Sequence, residues 1–316
     1  MIFLLFYDSY VKILHERIKM HKFSLHTHTT ALDGYNTVSE MVCQAERIGY
    51  QALGFSEHFI VFPNIEKSMM YEAAKNPKNK SIKPYHQIYS SSFDEAIDTI
   101  KPVYEQIDNI QLQASIPLYK GLEVDFFDYN GWEKGFEHAL SVLKPDYVIG
   151  ACHFSVYEGN LLNMHDILRL SSCEQKKVVK EYWQRQQDAI KSGHFDFMAH
   201  LDLYKRHGIG TSSVFFQDEQ KTVETLSEFN VGAEINTSSL NKKDYKISDL
   251  VQFLKLISQF NIPTLLSDDA HHVSQLGQNY ETVISFAKKN GVKCFCRPVR
   301  NGNIFMLKKI IKENQR

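Results

Sequence analysis

Short apolar runs recur along the chain, and most are followed by a longer stretch of helical periodicity. Runs of strand size fall at 23–25, 52–55, 118–124, 147–149, 195–198, 231–235 and 263–266. Between them apolar side chains return every three or four positions, the pattern of an amphipathic helix. The helices so predicted cover 37–48, 93–109, 132–143, 172–192, 217–229, 248–260 and 272–290. In the first, Val38, Met41, Val42, Ala45 and Ile48 share a face and Gly49 supplies the stop. Pro102 marks a kink or a break in the second. Strand alternating with helix predicts an α/β fold of parallel strands with helices outside them. Seven such units favour a closed barrel over an open sheet. No Gly-rich phosphate loop follows the first strand, which counts against a nucleotide-binding open sheet.

Two segments break the rhythm. Residues 60–92 are long, polar and irregular, as expected of a lid or a loop inserted into a compact domain. Residues 1–22 precede the first strand. Their apolar run is six residues long, lacks basic residues before it and meets Asp8 at once, unlike a secretory signal. Tyr10, Ile13, Leu14 and Ile18 predict a short amphipathic helix over 8–20. The domain expectation is therefore an N-terminal extension, or an over-called start, over 1–22 and a single domain over 23–316.

Composition narrows the function classes. The chain has 316 residues, a formal net charge of −1 and an apolar fraction of 43%. No electrostatic footprint for nucleic acid or an anionic membrane follows from that charge. No apolar run reaches the ~18 residues of a membrane helix. Five cysteines, an odd number without a C-x-x-C pair, argue against a disulfide framework and make the cytoplasm the expected location. A homo-oligomer is left open.

Chemistry concentrates where the apolar runs end, the active face of a parallel barrel. His26, His28 and Asp33 follow the first run, and Glu57 and His58 the second. Glu123 and Asp125 close the third, His153 the fourth, and His200, Asp202, Lys205 and Arg206 the fifth. Glu234 and Asn236 end the sixth; Asp268, Asp269 and His271 end the seventh. A lone His-x-His pair is also what two polar residues at a strand end look like; seven such endings in seven strands are not explained that way. Imidazole and carboxylate without thiolate suit Zn²⁺, Mn²⁺ or Fe²⁺. Several ions in one cleft favour hydrolysis of phosphate esters or amides. Cys152, beside His153, reads as a packed residue, and His165 and His207 as ordinary histidines.

The stretches HTHTTALDG, FSEHF, GLEVDF, GACHF, AHLDL and SDDAHHVSQLG resemble, in order, the motifs of the PHP (polymerase and histidinol phosphatase) family, most closely its histidinol-phosphatase branch. The resemblance implies a distorted (β/α)7 barrel holding two or three divalent ions (Zn, Mn or Fe) at the C-terminal ends of its strands. One ion would be held by His26, His28, Glu123 and Asp269; a second would share Glu123 and take His153 and His200; a third would take Asp33, His58 and His271. The implied reaction is hydrolysis of L-histidinol phosphate to L-histidinol and phosphate, a step of histidine biosynthesis, through a hydroxide bridging two ions. A nucleotide or sugar phosphate is the alternative ester, and a metal-binding module without catalysis the rival from another class. Glu123, Asp33 and Asp269 are the expected catalytic groups, Asp33 as one candidate to protonate the leaving alkoxide. Arg206, Lys205, Asn236 and Glu57 are expected to meet the substrate. Two positions depart from the family pattern: Ser24 stands where Asp is frequent, and Asp268 where Ser is usual.

Overall fold

The computed structural model describes residues 22–63, 88–209, 213–301 and 304–309. The helix expected over 8–20 and most of the 60–92 insert lie outside the described residues. Seven parallel strands form the barrel: β1 (Phe23–Ser24), β2 (Ala52–Val61), β3 (Leu118–Asp125), β4 (Tyr147–Ala151), β5 (Phe197–Met198), β6 (Gly232–Asn236) and β7 (Thr264–Ser267). Each pairs with the next in chain order. A parallel bridge between Thr27 and Ala270 closes β7 onto β1. The fold is a distorted (β/α)7 barrel: the closed parallel barrel that the alternation predicts, in the form that the family resemblance implies.

A helix follows every strand: α1 (Val38–Arg47), α2 (Phe93–Gln111), α3 (Trp132–Leu143), α4 (Ser172–Lys191), α5 (Phe216–Phe229), α6 (Val251–Phe260) and α7 (Tyr280–Lys289). Thr37 and Glu40 form a capping box that starts α1, and Ser171 and Glu174 one that starts α4. Pro102 sits inside α2, which continues through it. The helix expected over 272–290 begins only at Tyr280, because 273–275 form a separate short turn that braces the strand-end loop.

Strand periodicity sorts the core into two layers. Leu53, Phe55, Leu122, Val124 and Val148 point outward to the helices. Phe23, Tyr119, Tyr147, Ile149, Phe197 and Leu265 fill the barrel interior. Tyr147 crosses that interior, and its hydroxyl donates to the Leu25 carbonyl at 2.5 Å. Its ring lies against Gly54 and Gly121, where any Cβ would collide with it. On β3 and β4 the inward-facing positions beyond these fillers carry the polar groups. Thus Glu123 stands above Tyr119 and Gly121, and His153 above Ile149 and Ala151.

Three antiparallel or short pieces were not expected. Tyr89–Ser90 pairs with the end of β2, a hairpin of Phe154–Tyr157 and Asn160–Asn163 follows His153, and a second joins Cys296–Asn301 to Ile304–Lys309. No described helix is long and apolar enough to cross a membrane.

Candidate metal centre

Glu123 is the hub. Its Oε1 lies 2.9 Å from His200 Nε2, 3.2 Å from His26 Nε2 and 3.5 Å from His153 Nε2. Its Oε2 lies 2.8 Å from His58 Nδ1 and 3.6 Å from His28 Nε2. Five imidazoles from four strand ends therefore converge on one carboxylate that is 1% exposed. Asp269 supplies a second acid: its Oδ1 lies 3.4 Å from His28 and 3.5 Å from His26. Asp33 supplies a third, 3.2 Å from His271 and 3.4 Å from His58. It returns to the cluster because the loop folds back at Gly34, whose amide donates to the Thr29 carbonyl at 2.9 Å. A Cβ at Gly34 would stand 2.7 Å from the His28 backbone, so glycine is required at that close approach.

Outer groups fix the imidazoles. Asp125 accepts from the His153 amide at 2.7 Å and pairs with its Nδ1 at 2.6 Å. Glu234 pairs with His26 Nδ1 at 2.7 Å. His271 Nδ1 stands 3.0 Å from the Asp269 carbonyl. A ring nitrogen held in this way leaves the other aimed inward, the arrangement that orients metal-ligating histidines. His200 and Asp269 both adopt positive φ, +20° and +49°, a conformation non-glycine residues keep only where the surroundings impose it.

The residues fit a divalent cation. His26 Nε2, both ring nitrogens of His28, His58 Nδ1, His200 Nδ1, Asp33 Oδ1 and Glu123 Oε2 are buried and make no hydrogen bond among the described residues. His58 and Glu123 stand close, but not at a hydrogen-bonding angle. Buried polar atoms without partners are costly, and here all but His200 Nδ1 lie within 4.0 Å of another member of the cluster. Their donor atoms form four overlapping groups, each within 4.8 Å: His28–Asp33–His58–His271, His26–His28–Glu123, His26–His200–Asp269 and His58–Glu123–His153. Those groups contain all nine expected ligands. The grouping differs in detail: His28 joins the Asp33 set, and His200 stands with Asp269 as well as Glu123.

Electrostatics agree. Burial would raise the Glu123 carboxyl, but His26, His58 and His153 outweigh it and hold it well below the usual range. Burial acts on Asp33 and Asp269 in the same sense and is likewise outweighed, by His58 and His271 for Asp33 and chiefly by His26 for Asp269. Burial and the neighbouring His271 and His58 push His28 down to about 3. Charged carboxylates and a neutral imidazole are the forms that bind a cation. Burial also favours the neutral form of His26 and His58, yet the adjacent carboxylates raise both well above the ordinary value, so protons stand in for cationic charge.

The substrate-facing expectations divide. Arg206 Nε donates to Ser239 Oγ at 2.8 Å, and its terminal nitrogens reach Asp269 Oδ2 at 3.4 Å. Asn236 Nδ2 donates to the same oxygen at 3.1 Å. Both therefore border the centre. Lys205 does not: its ammonium donates to Glu219 at 3.0 Å and to the Asp249 carbonyl at 3.2 Å, among the outer helices. Glu57 is also corrected. β2 runs six residues past the expected 52–55, so Glu57 has the parity opposite to His58 and is 1% exposed. It accepts from the Thr29 amide and hydroxyl at 2.9 and 2.6 Å, and holds the loop after His28 rather than a substrate. Burial, only partly offset by those bonds, raises its carboxyl to about 8. Asp33, held strongly ionised, fits a ligand and not a proton donor.

The profile of the PHP domain matches residues 23–238. The chain belongs to the PHP family. A probable histidinol-phosphatase of Deinococcus radiodurans is 24% identical over 207 residues, 64% of this chain and 76% of that relative. A probable phosphatase of Caldicellulosiruptor saccharolyticus is 21% identical over 254 residues, 80% of this chain and 81% of its own. Among solved structures, histidinol phosphate phosphatase of Lactococcus lactis, in complex with zinc, L-histidinol and phosphate, superposes with a TM-score of 0.60 at 16% identity. That match covers 90% of this chain and 98% of the other, and shows a shared fold. The PHP profile ends before β7, yet Asp269 and His271, beyond it, complete the ligand groups.

Proposed function

We propose that this PHP protein is a divalent-metal-dependent phosphomonoesterase acting on L-histidinol phosphate, which it cleaves to L-histidinol and inorganic phosphate. The observation that carries the reading is the convergence of nine buried or half-buried ligand side chains, many with unpartnered donor atoms, on Glu123 and its neighbours. The Deinococcus relative, named a probable histidinol-phosphatase, supports the choice of ester. So do the histidinol and phosphate bound by the Lactococcus protein.

The nine ligand side chains would hold two or three ions of zinc, manganese or iron. Bound ions supply Lewis-acid charge for the phosphoryl oxygens and lower the pKa of an attacking water. The protein's own groups do the rest. Glu123 stays ionised and keeps five imidazoles turned inward. Asp125 and Glu234 fix two of those rings. Arg206 and Asn236 hold Asp269 by one oxygen and leave the other facing His26 and His28. The Arg206 guanidinium stands at the edge of the cluster, where its planar fork matches two phosphate oxygens. Phosphoryl transfer asks chiefly for positioning and charge stabilisation of this kind.

Phosphate release from L-histidinol phosphate, AMP and glucose 6-phosphate by the metal-replete protein tests the assignment. A kcat/KM for histidinol phosphate about tenfold or more above the others supports it. Preference for another ester replaces the substrate and keeps the reaction class. Release from none leaves a metal-binding module without catalysis.

A further inference from the structure

The barrel has a weak seam. β1 is two residues long, and the described backbone joins β7 to it by one bridge. That bridge consists of His28 N to Ala270 O at 2.9 Å and Ala270 N to His26 O at 3.3 Å. The two halves of the metal centre face each other across it, His26 and His28 from the β1 side, Asp269 and His271 from the β7 side. A small slip of one strand would open the 3.4 and 3.5 Å separations between Asp269 and the two imidazoles.

Side chains lock the seam where the ladder does not. Ser24 Oγ donates to Asp268 Oδ1 at 2.6 Å and accepts from the His26 amide at 3.3 Å. Asp268 Oδ2 accepts from the Tyr50 hydroxyl at 2.6 Å and the Gly277 amide at 2.9 Å. Asp268 is 1% exposed and pairs with no imidazole among the described residues. Its bonds tie β7 to β1, to the loop before β2 and to the loop before α7. The next residue, Asp269, carries the positive φ that turns its carboxylate into the centre. Ser24 and Asp268, the two positions at which the sequence departs from the pattern it resembles, are thus the two ends of one contact.

We propose that Ser24 and Asp268 are positioning residues that set the distance between the two halves of the metal centre by bracing the seam between β7 and β1. The proposal rests on reading the cluster as a metal site, and its test separates the two. Full-length protein stripped of metal is titrated with zinc against a chromophoric chelator, as wild type, S24A, D268S and the reciprocal S24D/D268S, with Tm recorded for each metal-free form. Loss of the brace weakens zinc binding in S24A and D268S by about 10- to 100-fold, the usual effect of removing an outer-shell partner. The reciprocal variant restores the contact with its ends exchanged and binds zinc roughly tenfold more tightly than D268S. A contact that only supported the fold would lower Tm and leave zinc affinity unchanged, which overturns the proposal. A double variant no tighter than D268S also overturns it. Should either Asp268 variant fail to fold, S24A alone decides by the same criterion. A wild-type protein that takes up no zinc overturns the metal reading itself, and the proposal with it.

Discussion

Glu123 stands beside five imidazoles and hydrogen-bonds one of them, His200, so its removal takes away the carboxylate that they share. Glu123→Ala should reduce turnover to roughly a thousandth of wild type or less, because the shared ligand is lost. Steady-state phosphate release checks this, and turnover near wild type would deny Glu123 that place. Arg206→Ala should raise KM about tenfold with metal content unchanged if the guanidinium meets the phosphate. Loss of metal as well would show that its contact with Asp269 matters more.

At the scale of elements, strand parity explains both what the sequence reveals and what it hides. Apolar runs mark the strands because their outward side chains meet helices, and on β4 the position two beyond the last inward filler is a ligand, in the order Ile149, Ala151, His153. The same rule shows why Glu57 was misplaced. A buried polar run, Ser56-Glu57-His58, has the composition of a loop, so the sequence pattern ends β2 early and hides the alternation that turns Glu57 away. Lys205 was misplaced for another reason: its partner Glu219 is on α5, and no local pattern reports a tertiary ion pair. The hairpin after His153 did have a local signal. Glu158 and Gly159, both at positive φ, form the tight turn between alternating segments. Asn301-Gly302 is a similar sequence signal in the C-terminal hairpin. Packing beneath the site gives a further expectation. Gly121→Ala drives a Cβ into the Tyr147 ring, two residues below Glu123. Overpacking of this kind costs about 1–3 kcal/mol, so a clear fall in Tm is expected, and an unchanged Tm would mean that Tyr147 can move aside.

For the whole molecule, seven strand–helix units distribute the ligands so that no local segment holds a complete site. His26 and Asp269 are 243 positions apart and meet only when β7 closes on β1. Metal binding should consequently depend on the closed barrel, and an ion that binds only the folded chain stabilises it. The C-terminal hairpin belongs to the same unit: Thr264 N donates to the Cys294 carbonyl at 2.8 Å, and Cys296 packs among the interior fillers of the barrel. We propose on this basis that the described residues between 23 and 309 form one domain. The centre and the reaction assigned to it are tested together by phosphate release from L-histidinol phosphate before chelation, after metal stripping and after zinc, manganese or iron is returned. Release that stops with the metal and resumes on its return is the predicted result; release that continues at full rate in metal-free protein would contradict it.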